Sequence, residues 1–403
     1  METTQLRGWA PQDIMTAALS LGERILICGG EVSRVEDTIG RVLRAYGATR
    51  VDVLTITTSI VVTAFAPNWG TLTQTRRITD HRLDLEALRG LNELSRQVCA
   101  DPIPPEEFLR RLEQADKLPR YRLPAAMGGW ALTAGSFAVF FGGNLTDAVW
   151  AAGVGAVLKL LDTLLTRLQL NGYFAIILSS LLGGALAGLA PLLGLDAHPS
   201  FISIGSIMLL IPGFALTNAI RDLFSGETIS GLLRCSESVM LSLAIAWGFA
   251  YTAAGTTVHS DIPLLIYLLT AFLGCIGFGI VFNLRGQNLL LAAGGGTFAW
   301  GVVLALQKPL GELTAFFWAS VAVTLLCEVL ARLRRCPVTV FLVVGIIAMV
   351  PGGSLYRTMR YAIGGAWDFF ASQGVYTLLY AVSIAAGILC VTALADVYKR
   401  LHR

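Results

Sequence analysis

Charge is scarce in this chain. Asp, Glu, Lys and Arg supply 14% of its 403 residues, against about 25% in an ordinary soluble domain, which argues against a protein lying wholly in water. Histidine is scarcer still, four in all. The first 122 residues hold one of them, His81 beside an expected turn, and offer no Ser-His-acid spacing; a hydrolase built there lacks its machinery. The seven cysteines are scattered, mostly singly in apolar runs, as at Cys275, Cys327 and Cys390. No disulfide framework or metal spacing emerges, and each reads as a small hydrophobe. The opening "METTQLRGWAPQD" has no apolar core of the signal-peptide kind, so no cleavage is expected. The junction Gly29-Gly30 lacks the lysine and the Ser/Thr of a phosphate-binding loop. No cofactor, metal or nucleic-acid partner is implied, and no enzymatic activity.

What charge there is lies at the front. Residues 1–122 hold 16 of the 30 Lys and Arg and 16 of the 27 Asp and Glu. A water-exposed domain therefore precedes a large apolar one. Ile14, Ala18, Leu21, Ile25 and Cys28 predict a helix over about 12–28, ended by Gly29-Gly30. Val35, Ile39, Val42, Leu43 and Tyr46 mark the face of a second helix, closed by Gly47, with Ser33-Arg34-Val35-Glu36 fitting a capping box. Capped helices meeting at a turn explain the glycines, Ser33 and Glu36, but not why Glu31, Arg34 and Asp37 crowd that turn. "RVDVLTITTSIVVTAFA" and "GTLTQTRRIT" read as strands joined by a turn at Pro67–Gly70. Helices over about 83–99 and 105–114 complete a small α+β domain.

From Ala125 onward, apolar runs of about 17–22 residues recur, each long enough for a transmembrane helix. They fall near 125–141, 148–165, 173–193, 201–220, 238–254, 263–282, 289–306, 312–331, 338–356 and 376–395. The fourth and ninth repeat one another. "IMLLIPGFALTNAIRDLFSG" and "IIAMVPGGSLYRTMRYAIGG" coincide at an offset of 139 residues in Pro212/Pro351, Gly213/Gly352, Leu216/Leu355 and Arg221/Arg360. Pro199/Pro337 and Ser180/Ser320 fall at nearly the same offset. A duplicated five-span unit follows, and because five is odd the second copy enters from the opposite side, as an inverted repeat. With the N-terminal domain inside, ten basic residues face inward and three (Lys308, Arg357 and Arg360) outward, in keeping with the positive-inside rule.

Pro212-Gly213 and Pro351-Gly352-Gly353 sit mid-span, where proline removes a donor and glycine adds freedom. They read either as broken helices whose ends hold a substrate or as packing kinks; their matched positions favour the first. Lys159 and Asp162 share a helical face, and either pair locally or line a charge pathway. Glu328 either pairs with Arg332 or carries a proton. Ser179, Ser180, Ser203, Ser206, Thr217, Asn218, Ser320 and Ser354 supply neutral hydrogen-bonding groups, which also serve as glue between helices.

"GGEVSRVEDTIGRVLRAYG" with "VLTITTSIVV", and "LLIPGFALTNAIRDLFSGETISGLLR", resemble the bacterial threonine/serine exporter family. "VPGGSLYRTM" is similar to the smaller partner that some relatives carry as a separate chain. The resemblance implies proton-driven efflux of threonine or serine across the bacterial inner membrane. Split relatives include one similar to a succinate exporter, which keeps a dicarboxylate open as substrate. The Glu31, Ser33, Arg34 and Glu36 segment is a fingerprint of that family without an implied chemical role.

The expected fold is thus a polytopic α-helical membrane protein of about ten spans in two inverted five-helix repeats, behind an N-terminal cytoplasmic α+β domain. The expected boundaries are 1–122, 123–258 and 259–403, with both termini cytoplasmic. The expected substrate groups are Ser179, Ser180, Ser206, Pro212, Gly213, Asn218, Ser320, Pro351, Gly352 and Ser354. Lys159, Asp162, Arg221, Glu328 and Arg360 are the charge-lining or proton-coupling candidates. Partners are a small-molecule substrate, protons and membrane lipid; a homo-oligomer stays open. A dicarboxylate exporter, a passive channel and a membrane-bound hydrolase are the competing classes.

Overall fold

The computed structural model describes residues 9–79, 82–116, 118–249 and 263–401. His81, the end of the fifth expected span and Arg403 lie outside them. The chain divides into two compact units. One takes the residues up to Arg120 with two short later segments, Phe282–Leu284 and Ala331–Val340; the other takes Tyr121–Val281, Arg285–Leu330 and the residues from Phe341 on.

In the first unit, α1 (Pro11–Ile27) starts with proline in its first turn and buries Ile14, Ala18, Leu21 and Ile25. Its end is a Schellman turn. Gly29 takes φ +91°, and the amides of Gly30 and Gly29 reach back to the carbonyls of Ile25 and Leu26. Only glycine adopts that φ without strain. The second helix, α2 (Val32–Ala45), packs on α1 and ends the same way at Gly47. The expected capping box does not form. Val32 is buried on the core face, so the helix starts ahead of Ser33 with Glu31 as its N-cap. Ser33 is exposed inside the first turn, and Glu36 Oε1 instead accepts from the amide of Thr55 at 2.8 Å.

The strands are three rather than two. β1 (Arg50–Ile56), β2 (Ser59–Ala66) and β3 (Gly70–Arg77) form an antiparallel sheet in that order. The first apolar run folds back on itself at Thr57-Thr58, with Ile56 opposite Ser59. Neither threonine carries the glycine or asparagine signal of a two-residue hairpin. β2 alternates, burying Ile60, Val62, Ala64 and Ala66. α3 (Leu85–Ala100) is capped by Asp84, which accepts from the Ala87 amide, and α4 (Pro105–Asp116) packs on α1 and α3. Asp84 also accepts from Asn283 Nδ2 at 3.0 Å and pairs with Arg120 at 3.3 Å. The amide of Leu85 donates to the Phe282 carbonyl.

The second unit is helical. Among the described residues, eight helices are long and apolar enough to cross a membrane: α5 (Leu123–Phe140), α6 (Leu145–Arg167), α7 (Gly172–Leu192), α10 (Thr228–Gly248), α11 (Leu264–Val281), α12 (Gly286–Leu310), α13 (Glu312–Arg334, whose last turn belongs to the first unit) and α16 (Trp367–Leu401). The fourth and ninth expected spans are each two short helices. These are α8 (Pro199–Ile207) with α9 (Gly213–Phe224), and α14 (Thr339–Gly345) with α15 (Gly352–Ile363). α9 packs against α10 and α16, while α15 packs against α16 and α10. Each Pro-Gly helix thus lies on the last helix of both halves.

Two further contacts repeat across the halves. A Cβ on Gly248 of α10 would collide with Ser180 of α7, and one on Gly387 of α16 would collide with Ser320 of α13. Gly248 and Gly387 are again 139 residues apart. Glycine at these crossings lets two backbones approach, the usual means of joining helices in lipid.

Candidate functional site

Both breaks follow from local chemistry. Pro212 and Pro351 stand at the N-caps of α9 and α15 with nearly the same backbone, φ −81°, ψ 41° and φ −75°, ψ 42°. Neither cap has a side-chain hydrogen bond. Two helix N-termini are therefore left with amides unsatisfied by a cap and with the positive end of the helix dipole.

Tertiary structure brings the two breaks together. A Cβ on Gly213 would sit 2.5 Å from Val350 Cγ1 and 3.2 Å from Cα and N of Gly352. One on Gly352 would sit 3.0 Å from Ile211 Cγ2 and 3.4 Å from Met208 Sδ. The breaks cross backbone to backbone, and the starts of α9 and α15 lie beside each other. Two adjacent helix N-termini suit an anion such as a carboxylate.

The expected polar residues divide into groups. Near the breaks, Ser206 on α8 is fully buried and donates to the Ile202 carbonyl at 2.8 Å. Thr217 donates to the Gly213 carbonyl at 3.2 Å. Asn218 is half-buried on α9. Ser354, in the first turn of α15, is buried and receives Arg357 Nη2 at 3.4 Å. Arg221 is buried on α9, and Arg360 is half-buried at the matching place on α15. Ser203 is buried on α8.

Ser179 and Ser180 lie buried on α7 and Ser320 on α13. Ser180 and Ser320 sit under the crossing glycines Gly248 and Gly387. Ser320 donates to the Phe317 carbonyl at 2.7 Å, whereas the Ser180 hydroxyl has no partner. Lys159 and Asp162 pair at 2.7 Å on α6, with the lysine over the Trp130 ring. Glu328 is half-buried on α13.

In the first unit, Glu31 Oε1 accepts from Thr339 Oγ1 at 3.2 Å. Thr339 is the first residue of α14. Asp37 pairs with Arg41 one turn on, and Arg34 is half-buried. The crowded turn thus serves distinct bonds and is not a single charged constellation.

Three groups escape a reading from sequence. Buried Asp222 on α9 pairs with half-buried Arg234 on α10 at 3.0 Å; the signal was the acid beside Arg221 in "NAIRDLF". Asp147, wholly buried, completes a capping box with Asn144 and accepts from the backbone amide of His198 at 2.6 Å; Asn-x-x-Asp before an apolar run announces it. Tyr356 is 1% exposed on α15, and its hydroxyl has no partner among the described residues.

Among the described residues, eight membrane-length helices with two Pro-Gly breaks meeting inside a helical unit define a polytopic helical membrane protein. The chain belongs to the threonine/serine exporter family. The family described as "Putative threonine/serine exporter" matches residues 16–255, and "Threonine/Serine exporter, ThrE" matches residues 267–394. It is 22% identical to a "Probable threonine/serine exporter" of Mycobacterium tuberculosis, over 93% of this chain and 75% of that protein. It is 24% identical to the threonine/serine exporter of Corynebacterium glutamicum, over 93% of this chain and 81% of the relative. A "Probable succinate transporter subunit YjjP" of Klebsiella aerogenes is 26% identical, over 55% of this chain and 85% of the relative. No solved structure matches.

Proposed function

We propose that the chain is a secondary transporter, not an enzyme, that exports threonine or serine across the bacterial inner membrane, with both termini cytoplasmic. The observation that carries the site is the meeting of Gly213 with Val350 and Gly352. The amides that open α9 and α15 receive the substrate carboxylate there, where two helix dipoles favour negative charge. Carbonyls freed by Pro212 and Pro351, with Ser206 and Ser354 nearby, take the ammonium group. Alternating access follows from a shift of one broken helix against the other. Asp162 and Glu328 are the proton-coupling candidates, both on long helices of the same unit. Glu31 accepts from the Thr339 hydroxyl within the first compact unit, and on that bond we base a gating role for the N-terminal motif.

The names of two relatives support export of these amino acids. The relatives named as succinate transporter subunits support a dicarboxylate instead. A dianion needs net positive charge at its site, for which Lys159, Arg221 and Arg360 are the candidates. Efflux of labelled threonine, serine and succinate from preloaded cells separates the two. Protonophore-sensitive loss of the amino acids alone is the expected outcome. Succinate loss alone moves the substrate to dicarboxylates, and protonophore-insensitive loss removes the proton coupling.

A further inference from the structure

We infer that the Tyr356 hydroxyl recognises the side-chain hydroxyl of the substrate, and so sets the preference for hydroxy amino acids. This rests on the reading of the paired breaks as the transport site.

Tyr356 lies one turn into α15, four residues after Gly352, and is 1% exposed. Its phenol makes no hydrogen bond among the described residues. A buried hydroxyl without a partner is costly, and native proteins rarely keep one. Phenylalanine would fill the same space at no such cost. The ring belongs to a buried cluster with Ile207 and Leu216, against which Leu210 and Ile211 pack. These four residues flank Pro212-Gly213, so the side chain of the second broken helix reaches toward the first break. The matched position on α9, 139 residues earlier, is Thr217, and its hydroxyl is already engaged by the Gly213 carbonyl. Of the two hydroxyls that stand one turn past a break, only that of Tyr356 is left to a ligand.

A phenol both donates and accepts. It can therefore complement the hydroxyl of serine or threonine but gains nothing from an alkyl side chain. Sites built to bond a substrate hydroxyl reject analogues that lack it, because their own polar group is then left unpaired.

The test is Tyr356→Phe in the full-length protein reconstituted in liposomes, with threonine, serine and 2-aminobutyrate as transported solutes. Expected is a rise in KM for threonine and serine of roughly five- to tenfold, the size of one neutral hydrogen bond. Transport of 2-aminobutyrate, which no longer leaves a phenol hydroxyl unpaired, stays level or rises, and the thermal midpoint of the variant is equal to wild type or higher. Unchanged threonine and serine kinetics overturn the assignment. An equal loss for all three solutes also overturns it, by showing a structural role. If the wild-type protein moves neither threonine nor serine, the transport reading falls and the inference with it; that result is visible before any variant is made.

Discussion

At Gly213 an added methyl would have to displace Val350, at 2.5 Å, and press on the Gly352 backbone at 3.2 Å. Backbone yields less readily than a side-chain tip, so Gly213→Ala forces the two breaks apart. Threonine efflux should fall at least tenfold while the purified protein remains folded, as checked by its thermal midpoint; unchanged efflux would mean that the close approach is not needed for transport. Tyr46 gives a second test, outside the membrane helices. It is 4% exposed, donates to the Ile103 carbonyl at 2.6 Å and meets the edge of Trp9. Burial pushes its phenol from the usual 10.0 up to about 12. The unfolded chain therefore loses this proton first, and stability is complete below pH 10 and declines as pH rises toward 12, by at most about 1.4 kcal/mol per pH unit. Tyr46→Phe should cost about 1 kcal/mol at neutral pH and flatten that alkaline decline in a denaturation series.

Among the elements, the glycine crossings make a prediction with an internal control. A methyl at Gly387 would strike Ser320 Oγ and approach the Phe317 carbonyl oxygen at 2.7 Å, whereas one at Gly248 would press on backbone, the Ser180 carbonyl carbon at 2.7 Å and the Leu181 nitrogen at 2.8 Å. Either alanine should destabilise by about 1–3 kcal/mol. Ser320→Ala should partly rescue Gly387→Ala, but Ser180→Ala should not rescue Gly248→Ala; melting of the four variants in detergent reads both. These crossings also mark how far the sequence could be read. The helix breaks at Pro212 and Pro351 are legible because a proline disrupts its own helix whatever surrounds it. The two-threonine turn at Thr57-Thr58 is not, since it carries no turn signal and is imposed by pairing β1 with β2. That Ser180 and Ser320 each lie under a glycine of another helix is not legible, because the sequence does not show which helices cross. Tyr356 is hidden for the same reason, because lacking a hydrogen-bond partner is a property of the folded unit.

For the molecule as a whole, the number of crossings is decided by the two broken helices, each of which either crosses the membrane or turns back within it. α8 and α9 together contain 21 residues and α14 and α15 contain 19, which at 1.5 Å per residue is roughly 30 Å for each pair, the thickness of a hydrocarbon core. Length therefore permits crossing. The connectors add a constraint. Phe282–Leu284 and Ala331–Val340 belong to the same compact unit as the N-terminal residues, with Leu85 bonded to Phe282 and Glu31 to Thr339. If α8–α9 turned back, those connectors would fall on the far side of the membrane from residues that they bond. If it crosses, they share one side, and the two halves are inverted with respect to each other. This argues for a crossing by α8–α9, and the positive-inside rule makes the cytoplasm the expected shared side. Single cysteines on a cysteine-free background test it, probed in intact cells with a membrane-impermeant maleimide. Lys308→Cys and Asp368→Cys should label, and Arg167→Cys should label only after permeabilisation. Protection of Lys308→Cys together with Arg167→Cys means that the first broken helix turns back. Protection of Asp368→Cys while Lys308→Cys labels confines the reversal to the second. Labelling of Arg167→Cys alone inverts the whole orientation and leaves the count of crossings intact.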